Sequence, residues 1–187
     1  KDSLVADLRT PEGQATLREL AANADVAIEG FAPGVTAGWG VDGDALRALN
    51  PRLVHLGITA FGNEGPLSTV KAYDPLVAAK VGVWARGGFG HRNGPHMYPV
   101  AWASFGAAMQ GTAGVVAALH MRERTGRGQS VGATLFSGIE PLDYFVQVIV
   151  QLMAKKGEQP SGDARSATAA SRYAMTFATK DSRFLIC

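Results

Sequence analysis

A single cysteine, Cys187, closes this 187-residue sequence. It leaves no disulfide within the chain, and with no histidine beside it there is no thiolate metal site. A reducing, cytoplasmic setting is the corresponding expectation. An excess of charge of one sign is missing too: 18 basic and 16 acidic side chains leave a formal +2. They are scattered rather than gathered into a stripe that could track phosphates along a nucleic-acid helix, so nucleic acid is not an expected partner. No apolar run reaches the ~18 residues that a membrane span needs, and none is expected. The opening Lys1-Asp2-Ser3-Leu4 has neither a signal-peptide apolar region nor an initiator methionine, which reads as an internal piece of a longer protein. What is present is apolar content, 47% hydrophobic against 18% charged residues, enough for a folded domain with a substantial core.

Local pattern alternates between strand and helix. Leu4 to Leu8 reads as a short strand. Thr10-Pro11-Glu12 reads as the start of a helix from Pro11 to Asn23, capped by threonine and led by proline, with Leu17, Leu20 and Ala21 as its buried stripe. Strands follow at Ala24 to Ile28 and at Leu53 to Thr59, with a short helix at Asp44 to Leu49 between them. A further helix is expected from Asp74-Pro75, where the aspartate can cap. The glycine-rich stretch from Gly87 to Pro95 reads as a loop. A long helix is expected from Ser104 to Arg124, closed by Gly126 in a left-handed cap, with Val115, Val116 and Leu119 in the core. Then come a strand at Ser130 to Ala133 and a helix from Leu135 to Lys155. A polar linker over 156–171 leads to a hairpin of Arg172 to Thr179 and Phe184 to Cys187, whose second arm stops inside an apolar run, as if cut. This order implies an α/β fold, an open parallel sheet of Rossmann-like kind with helices on both faces. Residues 1–155 would form part of a large domain and 172–187 the start of a smaller one.

Three segments together resemble the class III CoA-transferases, the CaiB/BaiF family that includes formyl-CoA transferase and α-methylacyl-CoA racemase. The first is Asp25-Val26-Ala27-Ile28-Glu29-Gly30-Phe31-Ala32-Pro33-Gly34 with Asn50-Pro51-Arg52-Leu53 downstream, similar to the family's F-x-P-G turn and N-P-R-L strand. The second runs from Ala60-Phe61-Gly62-Asn63-Glu64-Gly65-Pro66 to Val70-Lys71-Ala72-Tyr73-Asp74, similar to the family's glycine loop, although Ala60 stands where that loop has its first glycine. The third, Arg122-Glu123-Arg124-Thr125-Gly126-Arg127-Gly128-Gln129, is similar to the family's helix exit.

The resemblance implies a two-domain enzyme that moves CoA between an acyl-CoA and a carboxylic acid. Acyl-CoA would be its substrate, no cofactor would be tightly bound, and two full-length subunits would interlock as a homodimer. It also implies CoA-binding residues. Lys71 and Tyr73 match positions that face the CoA in formyl-CoA transferases; an ammonium can pair with phosphate, and a tyrosine offers an apolar face with a polar rim. Arg9, just before the helix at Pro11, could hold a phosphate together with free helix N–H groups or could be a solvated surface residue. Phe31 opens a turn at a strand end, where open α/β sheets bind ligands, and could equally pack the turn.

The resemblance fails at the nucleophile. Counting back from Thr125-Gly126, the family's catalytic aspartate falls on Ser104. That aspartate attacks the thioester to form a mixed anhydride; a serine hydroxyl needs a base, and its ester is a weaker acyl donor to thiolate. Ser104 therefore reads as a helix cap before it reads as a nucleophile. An acyl-CoA racemase is a further alternative, opposed by Tyr73, which stands near the racemases' histidine, because a phenol is a poor general base near neutrality. A third is a non-catalytic, CoA-binding or dimer-stabilising half of a longer protein. His91 lies in the glycine-rich loop and His96 just after it, and both could touch an acyl group, whereas His55 and His120 sit in apolar stretches and are expected to be packed.

Overall fold

The computed structural model describes residues 2–81, 100–139, 176–178 and 184–186. The glycine-rich loop with His91 and His96, the linker, and the expected helix beyond residue 139 lie outside the described residues. The chain divides into two compact units, residues 1–77 with 101–142 and residues 78–100 with 143–187. In the second unit, strands β4 (Thr176–Ala178) and β5 (Phe184–Ile186) pair antiparallel, with Phe177 opposite Leu185, which is the expected hairpin in shorter bounds.

The first unit begins with helix α1 (Pro11–Asn23). Thr10 holds the extended cap geometry and its Oγ1 accepts from Gly13 N at 3.1 Å. There follow β1 (Val26–Glu29), α2 (Val35–Gly38), α3 (Gly43–Leu49) capped by Asp42, β2 (Val54–Thr59), α4 (Asp74–Val81), of which residues 78–81 belong to the second unit, α5 (Trp102–Thr125), β3 (Ser130–Thr134) and α6 (Leu135–Ile139). The strands form one open sheet in the order β1-β2-β3, parallel throughout, with Val26 beside Val54 and Leu56 beside Val131. Because alternate residues of a strand face opposite sides, His55 and Leu56 mark the two faces. Gly43 of α3 lies against His55, whereas Gly111 of α5 lies against Leu56 and Ala133. Helices therefore cover both faces, as the alternating pattern implies.

On the α3 face the core gathers Ala21, Val41, Leu46 and Leu53, with Leu17, Ala27 and Trp39 packed against them. On the other face α5 runs close to the sheet because its inward positions are small. Gly106 meets the backbone of Gly138 in α6 so closely that a Cβ on either would strike the other's main chain. Gly126 ends α5 at φ 71°, the left-handed conformation that a glycine adopts without steric cost.

Several expectations are corrected. Leu4 to Leu8 is not a strand: Leu4 and Val5 are 63% and 96% exposed. Without apolar burial nothing offsets the entropy of holding the segment extended, and Asp7 instead closes a turn through its carbonyl to Thr10 N. Leu20, Val116 and His120 lie on exposed helix faces rather than in the core. Ser104 is the third residue of α5, not its cap; Ala101 holds the cap position and has no side chain to accept a hydrogen bond.

Candidate functional site

The parallel strands all end on one side of the sheet, at Glu29, Thr59 and Thr134. Helix α5 runs antiparallel to them. Its Arg122 reaches the amino ends of the strands at Asp25 and Arg52, Gly114 lies over Val131, and Gly106 crosses α6 beyond the end of β3. The first turn of α5, with Ser104, consequently stands at the carboxyl ends of the strands, where open α/β sheets hold ligands.

Ser104 is exposed, and its backbone N–H donates to Asp74 Oδ2 at 2.6 Å. No described group hydrogen bonds to its hydroxyl, so among the described residues it has no base. Asp74 is the first residue of α4, and the carbonyl of Tyr73 accepts the helix's first bond, from Val77 N at 3.0 Å. The aspartate thus serves a helix other than the one expected from sequence. Immediately before it, Tyr73 N donates to the Lys71 carbonyl at 2.9 Å, folding Lys71 to Tyr73 into a tight turn. Both side chains are exposed, Tyr73 at 60%, and among the described residues no carboxylate lies within ion-pairing distance of Lys71.

Arg9 is placed differently. Its guanidinium grips Asp7 with Nε–Oδ1 at 2.9 Å and Nη2–Oδ2 at 2.8 Å, and its backbone N–H adds a third bond to Oδ1. Hydrogen bonding from Arg9 side chain and backbone lowers the Asp7 pKa from its ordinary 3.8 to about 2, and the same pairing raises that of Arg9. Arg9 does stand one residue before the cap of α1, as the sequence implies, but its charge is already matched. Phe31 follows β1 at the carboxyl edge, 45% exposed, with its ring edge-to-face on Trp39 at 5.5 Å. The structure therefore brings Ser104 beside the Lys71–Tyr73 turn, while the described contacts of Arg9 and Phe31 are with Asp7 and Trp39.

Two relationships are not visible in the sequence. The Asp74–Ser104 contact spans thirty residues, and its one local sign is that Ala101 leaves the start of a long helix without a cap. His55 is packed as expected, yet its Nε2 lies 3.1 Å from Glu29 Oε1, a pairing fixed by the parallel register that sets Glu29 beside Gly57. Among the described residues no cluster of histidine, cysteine and carboxylate could hold a metal ion, and no helix is long and apolar enough to cross a membrane.

The family model described as CoA-transferase family III matches residues 1–187. Succinyl-CoA--D-citramalate CoA-transferase of Chloroflexus aurantiacus is 35% identical over 139 residues, covering 74% of this chain and 34% of the relative. The Mycobacterium tuberculosis protein named "Probable CoA-transferase Rv1866" is 39% identical over 135 residues, which are 69% of this chain and 17% of that protein. The crystal structure of a CAIB/BAIF family protein from Brucella suis superposes with a TM-score of 0.75 at 34% identity, covering 86% of this chain and 41% of that one. The chain thus spans about a third of the length of the first of these relatives.

Proposed function

This chain belongs to CoA-transferase family III, and on that premise we propose that it is the CoA-holding part of a longer transferase that moves CoA between an acyl-CoA and a carboxylic acid. Lys71 and Tyr73 are its contacts to CoA, with Phe31 and Arg9 as secondary ones, and Ser104 carries no acyl group. The observation behind this reading is the unequal state of two cations. Arg9 is neutralised by Asp7 through two side-chain bonds, whereas Lys71 is exposed, without a carboxylate partner among the described residues, on a turn held at the carboxyl ends of the strands. An unmatched ammonium there is the charge available to a phosphate. Tyr73 beside it offers a ring face to a nucleotide or pantetheine chain.

The absence of a base at Ser104 supports the second half of the proposal. An alcohol attacks a thioester only when its proton has somewhere to go, and among the described residues none hydrogen bonds to the Ser104 hydroxyl, Asp74 Oδ2 being engaged by the Ser104 backbone N–H instead. In the specific form of the proposal the chain is one section of a longer protein, and the reactive carboxylate belongs to another section or subunit.

Titration calorimetry of the full-length protein with CoA tests the reading. Binding should be measurable, and Lys71→Ala should weaken it by about tenfold, the usual worth of one charge-assisted hydrogen bond. Absence of CoA binding would remove the proposal, and unchanged affinity in the variant would remove Lys71 from it.

A further inference from the structure

The first turn of any α-helix presents N–H groups without partners inside the helix. In α5 the cap residue is Ala101, which has no side-chain acceptor, and the turn contains no acidic residue of its own. The N–H of the third helical residue is the one that a capping serine or aspartate would ordinarily bind. In this helix it belongs to Ser104, and it is taken at 2.6 Å by Asp74, which arrives from the start of α4. That same aspartate directly follows Tyr73, whose backbone is fixed on both sides, by its N–H to Lys71 and by its carbonyl to Val77. One carboxylate therefore joins the Lys71–Tyr73 turn to the end of α5.

We propose that Asp74 is a positioning residue. It tethers the turn that presents Lys71 and Tyr73 to the first turn of α5, so that the two side chains are held in register with the site at the strand ends. The inference rests on the CoA-binding reading above. It differs from simple capping, because a cap supplied by α5 itself would satisfy the same N–H and leave the turn unattached. It also has a definite sign. Removing a negative charge near an anionic ligand would by itself tighten binding, so weaker binding on loss of Asp74 reports lost geometry rather than lost charge.

The test compares CoA affinity and thermal midpoint in the full-length protein for Asp74→Ala, Asp74→Asn and the double variant Asp74→Ala with Ala101→Asp. Asp74→Ala should bind CoA about tenfold more weakly, in line with a charge-assisted bond. Asp74→Asn, whose amide oxygen still accepts, should stay near the parent. The double variant has a cap within its own helix and should regain the thermal midpoint while its affinity stays low. Recovery of both stability and affinity in the double variant, or parental affinity in Asp74→Ala, overturns the proposal. If the parent binds CoA and Lys71→Ala weakens it while Asp74→Ala does not, the tether alone is lost. A parent that binds no CoA removes the CoA-binding reading as well.

Discussion

Arg122, near the end of the long helix, places Nη1 2.9 Å from Asp25 Oδ1 and also within reach of the carbonyls of Asp25 and Arg52, at 3.5 and 3.3 Å. Its side chain is 10% exposed and that of Asp25 79%. The ion pair is therefore well solvated at one end and worth little by itself, while the two carbonyls sit where the helix covers them. Arg122→Met should cost about 2 kcal/mol, chiefly through the Arg52 carbonyl left without its donor, since that of Asp25 still accepts from Val54 N, and Asp25→Asn less than about 1. Urea unfolding of the full-length protein measures both; equal losses would mean that the ion pair dominates.

Gly106 and Gly138 permit α5 and α6 to cross at backbone contact. Neither position has room for a methyl group, and main chain cannot yield as a flexible side chain can. Gly138→Ala should destabilise by about 3 kcal/mol, the upper range for overpacking. Gly132, with nothing within 4 Å of an added Cβ, is the control at which alanine should be near neutral. A thermal melt of each variant separates them.

Asp7 should titrate near 2 rather than at its ordinary 3.8 because Arg9 hydrogen bonds to it. Its pKa is depressed in the folded chain, so the pairing is fully present above the unfolded carboxylate value and is lost as pH falls through about 2. Carboxyl-resolved NMR should show the midpoint of Asp7 rising toward 3.8 in Arg9→Ala. The same variant should lose less CoA affinity than Lys71→Ala, since its charge is already committed.

Much of this fold is legible in the sequence because its signals are local. Thr10-Pro11 starts a helix through a hydroxyl and a fixed φ, Gly126 ends one through a left-handed φ, and the apolar run at Leu53 to Thr59 has few stable outcomes other than a covered strand. Leu4 to Leu8 carries a similar local pattern but lacks burial, which no five-residue window contains. The candidate site is legible only as the adjacency of Lys71 and Tyr73 in the chain, not as the turn they form. It was hidden where it depended on distance. Asp74 has the chemistry of a cap, and nothing in its neighbourhood indicates that it caps a helix beginning near residue 102. Arg9 has the chemistry of a phosphate ligand, and only the bond geometry to Asp7 shows its charge to be engaged.

Ser104 contributes its backbone rather than its hydroxyl to the start of α5. Ser104→Ala should therefore change stability by less than about 0.5 kcal/mol, as expected of a surface substitution that removes no cap, and should leave CoA affinity unaltered. A loss of a kcal/mol or more in a thermal or urea melt would assign the hydroxyl a role that these contacts do not.

Peptide-resolved mass spectrometry of the full-length protein after incubation with an acyl-CoA tests whether this chain holds CoA without bonding to the acyl group. Native spectra should show CoA or acyl-CoA retained without a covalent bond and lost on denaturation. After digestion, the peptide containing Trp102-Ala103-Ser104 should have its unmodified mass. An acyl or CoA adduct mapped to Ser104 would contradict the account.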